Sequence, residues 1–187
     1  QSSTTMLLQS LLDLGYVTRL PGTRRFVSGA RTAFIGSGIR GRMEDTLPLR
    51  EFADRMARDL RETVVVGTQQ GPWLQYVYVS STKPVAQIHP RVGMKRLMTC
   101  TAAGRALLTH NPEKRVRLIA RHNNAHAGAG LQVEEPELFD ELERIRRQGF
   151  SESCGRLIPG IHNISVTTSL GAVPTPLVVG VGGPAEH

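Results

Sequence analysis

Leu7, Leu8, Leu11, Leu12 and Leu14 fall on one side of a helix directly after the hydroxyl-rich run Ser2 to Thr5. That pattern predicts a short amphipathic helix over 2–14, capped by those hydroxyls and stopped by Gly15. Tyr16 to Arg19 and Arg24 to Ser28 read as two strands around the turn Leu20-Pro21-Gly22-Thr23. From Leu49 a second periodicity begins, with Phe52, Ala53, Met56, Ala57 and Leu60 on the apolar side and Arg50, Glu51, Asp54, Arg55 and Arg58 opposite. Glu51–Arg55 and Asp54–Arg58 have the four-residue spacing of helical ion pairs. The period then drops to two. Strands are predicted over 63–68 and 73–79 around a hairpin at Gln69-Gln70-Gly71-Pro72, and a further strand over 85–89.

The stretch Val92 to Leu108, VGMKRLMTCTAAGRALL, carries the most specific local pattern. Lys95-Arg96 reads as a solvent-facing turn. Thr99 or Thr101 can cap a helix whose first turn, Ala102-Ala103-Gly104, has almost no bulk. Such a start either packs tightly on a strand or leaves free N–H groups open to an anion. Pro112 restarts a helix with Val116, Leu118 and Ile119 inside and Arg115, Arg117 and Arg121 outside. His122 to Gly130 reads as a loop with solvated histidines. A helix led by Pro136 buries Leu138, Phe139, Leu142 and Ile145 and ends at a Gly149 C-cap. Strands follow over 150–154, 164–168 and 177–182. Helices alternating with hairpin-linked strands give an α+β fold, an antiparallel sheet with helices laid against it.

Charge sharpens the picture at the N-terminal end. The 187 residues carry a net +7, nearly all of the cations being arginine, which suits an acidic partner such as nucleic acid. A helix followed by a two-stranded ribbon is how a winged helix ends. In that reading Ser2, Ser3, Thr4 and Thr5 approach DNA from the helix start, and Arg19, Arg24 and Arg25 grip phosphates from the wing. An ordinary helix–hairpin unit fits the same 28 residues equally well. Cys100 and Cys154 form no CxxC pair, which fits a reducing, cytoplasmic setting, and no apolar run is long enough to span a membrane. No metal-ligand spacing or cofactor motif stands out. The chain starts on Gln1-Ser2-Ser3 and stops on Pro184-Ala185-Glu186-His187, so both ends read as cut from something longer.

Seven segments, in order, resemble the IclR family of bacterial transcriptional regulators. They are LLQSLLDLGYV at 7–17, FVSGAR at 26–31, WLQYVYV at 73–79, VG with TAAGRALL at 92–93 and 101–108, ELERIRRQGF at 141–150, PGIHNISV at 159–166 and VGVGGP at 179–184. The resemblance implies the C-terminal part of a winged helix over 1–28, a linker helix over 29–48 and a GAF-like sensor domain over 49–187. It also implies two helices before Ser2 and one after Pro184. The sensor would bind a small organic acid at a site made by Cys100, Ala102, Ala103, Gly104, Ser153, Cys154, Asn163, Gly180 and Gly182, with Ala102 and Ala103 as N–H donors. Partners implied are a double-stranded DNA operator and a second or fourth copy of the chain, as homodimer or homotetramer.

Departures from the family pattern bear on the ligand. Gly180 and Gly182 stand where relatives that hold small carboxylates often carry serines, Ser153 where an acidic residue is common, and His162 where an arginine is common. A roomier, less polar pocket is the expectation, taking an acid larger than two or three carbons, aromatic acids included. Met6 replaces a usual recognition-helix arginine, which removes one phosphate contact. Two other classes compete with the regulator. One is a metabolite-binding module without DNA binding. The other is an enzyme using Cys100 or Cys154, disfavoured because His89, His110 and His162 show no acidic orienter in the sequence. The sequence therefore reads as a non-enzyme.

Overall fold

The computed structural model describes residues 2–20, 22–23, 25–28, 47–82, 90–169 and 175–185. The expected linker helix (all but its last two residues), the strand over 85–89, and Arg24 lie outside those residues. The chain divides into two compact units, 1–47 and 48–187.

In the first unit, helix α1 (Ser3–Asp13) begins after Ser2 and ends where Gly15 turns the backbone at φ +72°. Leu8, Leu11 and Leu12 are half-buried, while Leu7 and Leu14 stay exposed. Strands β1 (Val17–Arg19) and β2 (Phe26–Ser28) pair antiparallel with Thr18 opposite Val27. The helix and ribbon expected here are both present.

The second unit is a six-stranded, wholly antiparallel sheet with helices on both faces. Its strands are β3 (Thr63–Gln70), β4 (Trp73–Ser80), β5 (Lys95–Leu97), β6 (Ser151–Cys154), β7 (Ile161–Thr168) and β8 (Leu177–Pro184), in the order β5-β4-β3-β8-β7-β6. Lys95-Arg96 is thus an edge strand on β4, with Arg96 opposite Leu74, and not a free turn. The turn comes just before it, at Gly93 with φ +85°.

One face of the sheet carries α2 (Leu47–Leu60). Ala53 and Ala57 are fully buried against Val64, Val66 and Val179. Leu49 and Met56 pack partly buried beside them, while the flanking Phe52 and Leu60 are left outside, 43% and 52% exposed, contrary to the expected five-residue buried face. Neither expected ion pair on α2 closes. Asp54 instead accepts a 2.7 Å hydrogen bond from the Tyr78 hydroxyl of β4.

The opposite face carries α3 (Ala102–Leu108), α4 (Glu113–His126) and α5 (Glu135–Gln148). Leu107, Leu108, Val116, Ile119, Leu138, Leu142 and Ile145 meet Leu74, Met98 and Val178 of the sheet side in one core. On α4 the buried set is Val116, Ile119, Ala120 and Asn123, the i, i+3, i+4, i+7 spacing of a single stripe. Leu118 lies off that stripe and is 60% exposed, not buried as expected. The helix also runs four residues past His122, through part of the expected loop. Its i, i+4 spacing stacks the His122 and His126 rings 4.3 Å apart, with the Trp73 ring edge-on at 5.5 and 6.1 Å. Gly149 closes α5 at φ +82°, its N–H donating to Ile145 at 2.8 Å.

The Asp54 carboxyl sits below its ordinary value of 3.8, held there first by a hydrogen bond from Ser80, then by that from Tyr78, with burial opposing and Arg58 and Arg50 adding smaller help. A depressed carboxylate contributes stability that is complete above the unfolded pKa and lost as pH falls through the folded one. Melting temperature should therefore drop more steeply below about pH 4 in the native chain than in Asp54→Asn. Parallel melting curves from pH 7 to pH 3 would show the contribution absent.

Candidate ligand-binding site

The site is built around the turn leading into α3. Met98–Cys100 form one turn of 3-10 helix, and Thr101 caps α3 by accepting the Gly104 N–H at 3.0 Å. The first intrahelical bond runs from Arg105 N to Thr101 O at 3.0 Å, so the N–H groups of Ala102 and Ala103 have no acceptor within the helix. Three buried residues fix this turn. Asn123 Oδ1 accepts from the Thr99 N–H at 3.0 Å and from the Thr99 hydroxyl at 3.3 Å, while its Nδ2 donates to Pro72 O at 2.9 Å. Arg105, only 2% exposed, donates to Thr99 O at 3.1 Å and to Glu152 O at 3.4 Å. Its Nε lies 2.8 Å from Glu141 Oε1, a close ion pair whose angle makes no good hydrogen bond. Burial lowers the Arg105 pKa and Glu141 counters it; the guanidinium stays charged. Gly104 is the third fixture. A Cβ there would collide with the Met98 backbone, so no other residue lets α3 sit this close.

Opposite this turn, strand alternation sends one set of sheet residues inward. Register puts Thr63, Gly182, Asn163 and Ser153 in one row, and Val65, Gly180, Ser165 and Ser151 in the next. The two glycines of β8 leave no side chain in the middle of each row. Neighbours lean into that space: a Cβ at Gly180 would lie 2.8 Å from Ser165 Oγ, and one at Gly182 would strike Asn163 Oδ1. The room at the two glycines is thus partly filled by polar groups from β7, so the floor is less apolar than the glycines alone suggest. Leu157, Ile158, Pro159 and Ile161 form a greasy side wall, on a turn held by Gly155 N donating to Ile161 O at 2.9 Å. Between turn, floor and wall lies a cavity of ≈ 390 Å³. That falls in the range of small-molecule sites.

Of the residues nominated from the sequence, Cys100, Ala102, Ala103, Ser153, Asn163, Gly180 and Gly182 line this cavity. Gly104 does not; it packs on Met98. Cys154 does not either, because it follows inward-facing Ser153 and is exposed on the other side of the sheet. There it pairs in register with His162, whose Nε2 lies 3.9 Å from Glu152 Oε2. His162 therefore has an acidic neighbour that the sequence did not reveal, at a distance too long for a hydrogen bond. Cys100 is buried, its thiol 3.6 Å from Leu131 O. Sequence reasoning missed Thr63, Tyr76, Arg96 and Ser165 in the lining, and Asn123 and Arg105 behind it. Ser165 was within reach, being two residues from Asn163 on one strand; the others carried no local signal. Among the described residues no group of three or more His, Cys, Asp or Glu could hold a metal ion.

The nominated DNA-contact residues occupy the first unit. Ser2, Ser3, Thr4 and Thr5 are exposed around the start of α1, with Ser2 Oγ 3.1 Å from Thr5 Oγ1. Arg19 and Arg25 are exposed on the ribbon, the Arg19 guanidinium lying 5.9 Å from the Phe26 ring centroid. No helix among the described residues is long and apolar enough to cross a membrane.

The glycines make distinguishable demands. Gly104→Ala forces backbone apart and should cost about 2–3 kcal/mol, several degrees of melting temperature. Gly182→Ala needs only the Asn163 amide to turn aside and should cost under about 1 kcal/mol. Chemical denaturation of both variants checks the ranking, and equal losses would contradict it.

Known proteins bear on this geometry at two levels. The model of the family described as bacterial transcriptional regulator IclR, C-terminal, matches residues 47–168. No curated protein matches the chain by sequence. Among solved structures, an IclR-type regulator from Silicibacter sp. TM1040 superposes with a TM-score of 0.78 at 19% identity, covering 98% of this chain and 72% of that one. The regulator from Alicyclobacillus acidocaldarius gives 0.76 at 20% identity over 97% and 74%. The effector domain of an IclR regulator from Acinetobacter sp. ADP1 gives 0.71 at 19% identity over 77% and 84%. At these identities the structures speak for the fold. The family model spans well over half the chain, and on that ground the chain belongs to the IclR family of bacterial transcriptional regulators.

Proposed function

We propose that this chain is the sensing part of a ligand-responsive DNA-binding regulator, and that a small organic acid binds in the cavity under the α3 turn. One observation carries the reading: a ≈ 390 Å³ cavity with polar floor, apolar wall and unpaired N–H groups at Ala102 and Ala103. The volume supports an acid larger than two or three carbons, aromatic acids included. Ser153, Asn163 and Ser165 offer hydrogen bonds to its oxygen atoms, and Leu157 and Ile158 take its hydrocarbon part.

A ligand alters DNA binding only through unequal affinity for two arrangements of the protein. The α3 turn is suited to that role because its buried anchors give it one close-packed position. Ligand contacts there strengthen one arrangement of a homodimer or homotetramer over another, and operator affinity follows by linkage. Exposed Ser2 to Thr5, together with Arg19, Arg24 and Arg25, are the proposed DNA-facing groups.

A thermal-shift screen of the 187-residue chain against aliphatic and aromatic carboxylic acids tests the sensing half. At 100 times its dissociation constant a ligand adds about 2.7 kcal/mol, a rise of several degrees. Ser153→Phe, which fills the floor, should abolish the rise while leaving the circular dichroism spectrum intact. A rise that survives Ser153→Phe would place the ligand elsewhere.

A further inference from the structure

The cavity lining holds three charged side chains, Arg61, Glu62 and Arg96. Arg61 and Glu62 are adjacent in the chain immediately before β3 and carry opposite charges. Glu62 lies over Gly183, five residues along the chain from Gly67, the β3 partner of Tyr76. At ~3.3 Å per residue that is roughly 16 Å from the Tyr76 row. Arg96 stands apart from this pair, on edge strand β5, half-buried. No carboxylate among the described residues lies within ion-pair distance of it. Arg96 stands opposite Leu74, two residues before Tyr76 on β4, so Arg96 and Tyr76 are diagonal neighbours on one face of the sheet, and both line the cavity.

Tyr76 completes the pair. Burial raises its pKa, with the nearby Arg96 charge opposing, so the hydroxyl is protonated at neutral pH and has a proton to donate. A guanidinium fork and a phenol O–H side by side match the two oxygens of a carboxylate. The donors at Ala102 and Ala103 are neutral, so a charged oxygen favours Arg96 and leaves them a carbonyl or hydroxyl oxygen.

Resting on the sensing role proposed above, we infer that Arg96 and Tyr76 hold the carboxylate of the effector, which is an amphiphilic monocarboxylate. Its apolar body lies toward Leu157, Ile158 and Pro159, over a floor where Ser165 and Asn163 read a polar substituent.

The test uses two probes of one shape and different charge, 3-phenylpropanoate and 3-phenylpropanamide, titrated calorimetrically into the 187-residue chain at neutral pH. The acid should bind at least about tenfold more tightly than the amide. Arg96→Ala should lower acid affinity to that of the amide and leave amide affinity unchanged. Arg96→Lys should restore part of the preference, and Tyr76→Phe should lose only a few-fold. Unliganded melting curves confirm that each variant folds. An acid preference that persists in Arg96→Ala overturns the inference. So does equal binding of both probes, and if Ser153→Phe abolishes that binding the cavity reading still stands. If neither probe binds, the inference is overturned, and the wider acid screen alone decides the cavity reading.

Discussion

The buried carboxamide of Asn123 joins three segments far apart in the chain. It holds the Thr99 N–H and hydroxyl on the turn before α3, and the Pro72 carbonyl on the β3–β4 hairpin, from its own place on α4. The Thr99 partners are fully buried and the Pro72 carbonyl partly so, and losing the amide would strand the Thr99 N–H at about 1–3 kcal/mol. Arg105 repeats the arrangement from the other side, tying Thr99 O to the Glu152 carbonyl of β6. Together these two side chains fix one short turn against both halves of the sheet. Where that turn sits decides whether a cavity exists at all.

The rest of the site follows from strand alternation and from the absence of side chains at Gly180 and Gly182. With the turn fixed above and two bare positions below, the space between them cannot close. Asn163 and Ser165 of the next strand lean partway into it and make the floor polar. The same alternation turns Cys154 and His162 away, onto a face with different neighbours. The lining of the cavity therefore rests on which residue of each adjacent pair faces inward, something fixed by register and not by composition.

Much of the fold was legible because it is written in periodicity. The α1 leucines, the Gly149 cap and the β3–β4 hairpin each announce themselves within a few residues. The misreadings share a cause. Leu118, Phe52 and Leu60 are apolar enough for a core, yet neighbouring small or better-placed residues make the contact instead. His122 to Gly130 has the composition of a loop, but Asn123 is buried by the turn it anchors, which draws the helix onward. Arg96 looked like a solvated turn residue because its strand partner is some twenty positions away. The family resemblance found the small-residue turn and the closing strand. It gave no role to Arg96, Tyr76 or Arg105, since these acquire meaning only once distant strands are placed side by side.

Amide hydrogen exchange with and without a bound carboxylic acid, read segment by segment, tests the central claim most directly. If the cavity under the α3 turn is the binding site, protection should rise over 98–104, 161–165 and 177–184 together. The outer part of α4, which touches no part of the cavity, should be unchanged. Protection confined to α4, or to α1 and its ribbon, would contradict the account.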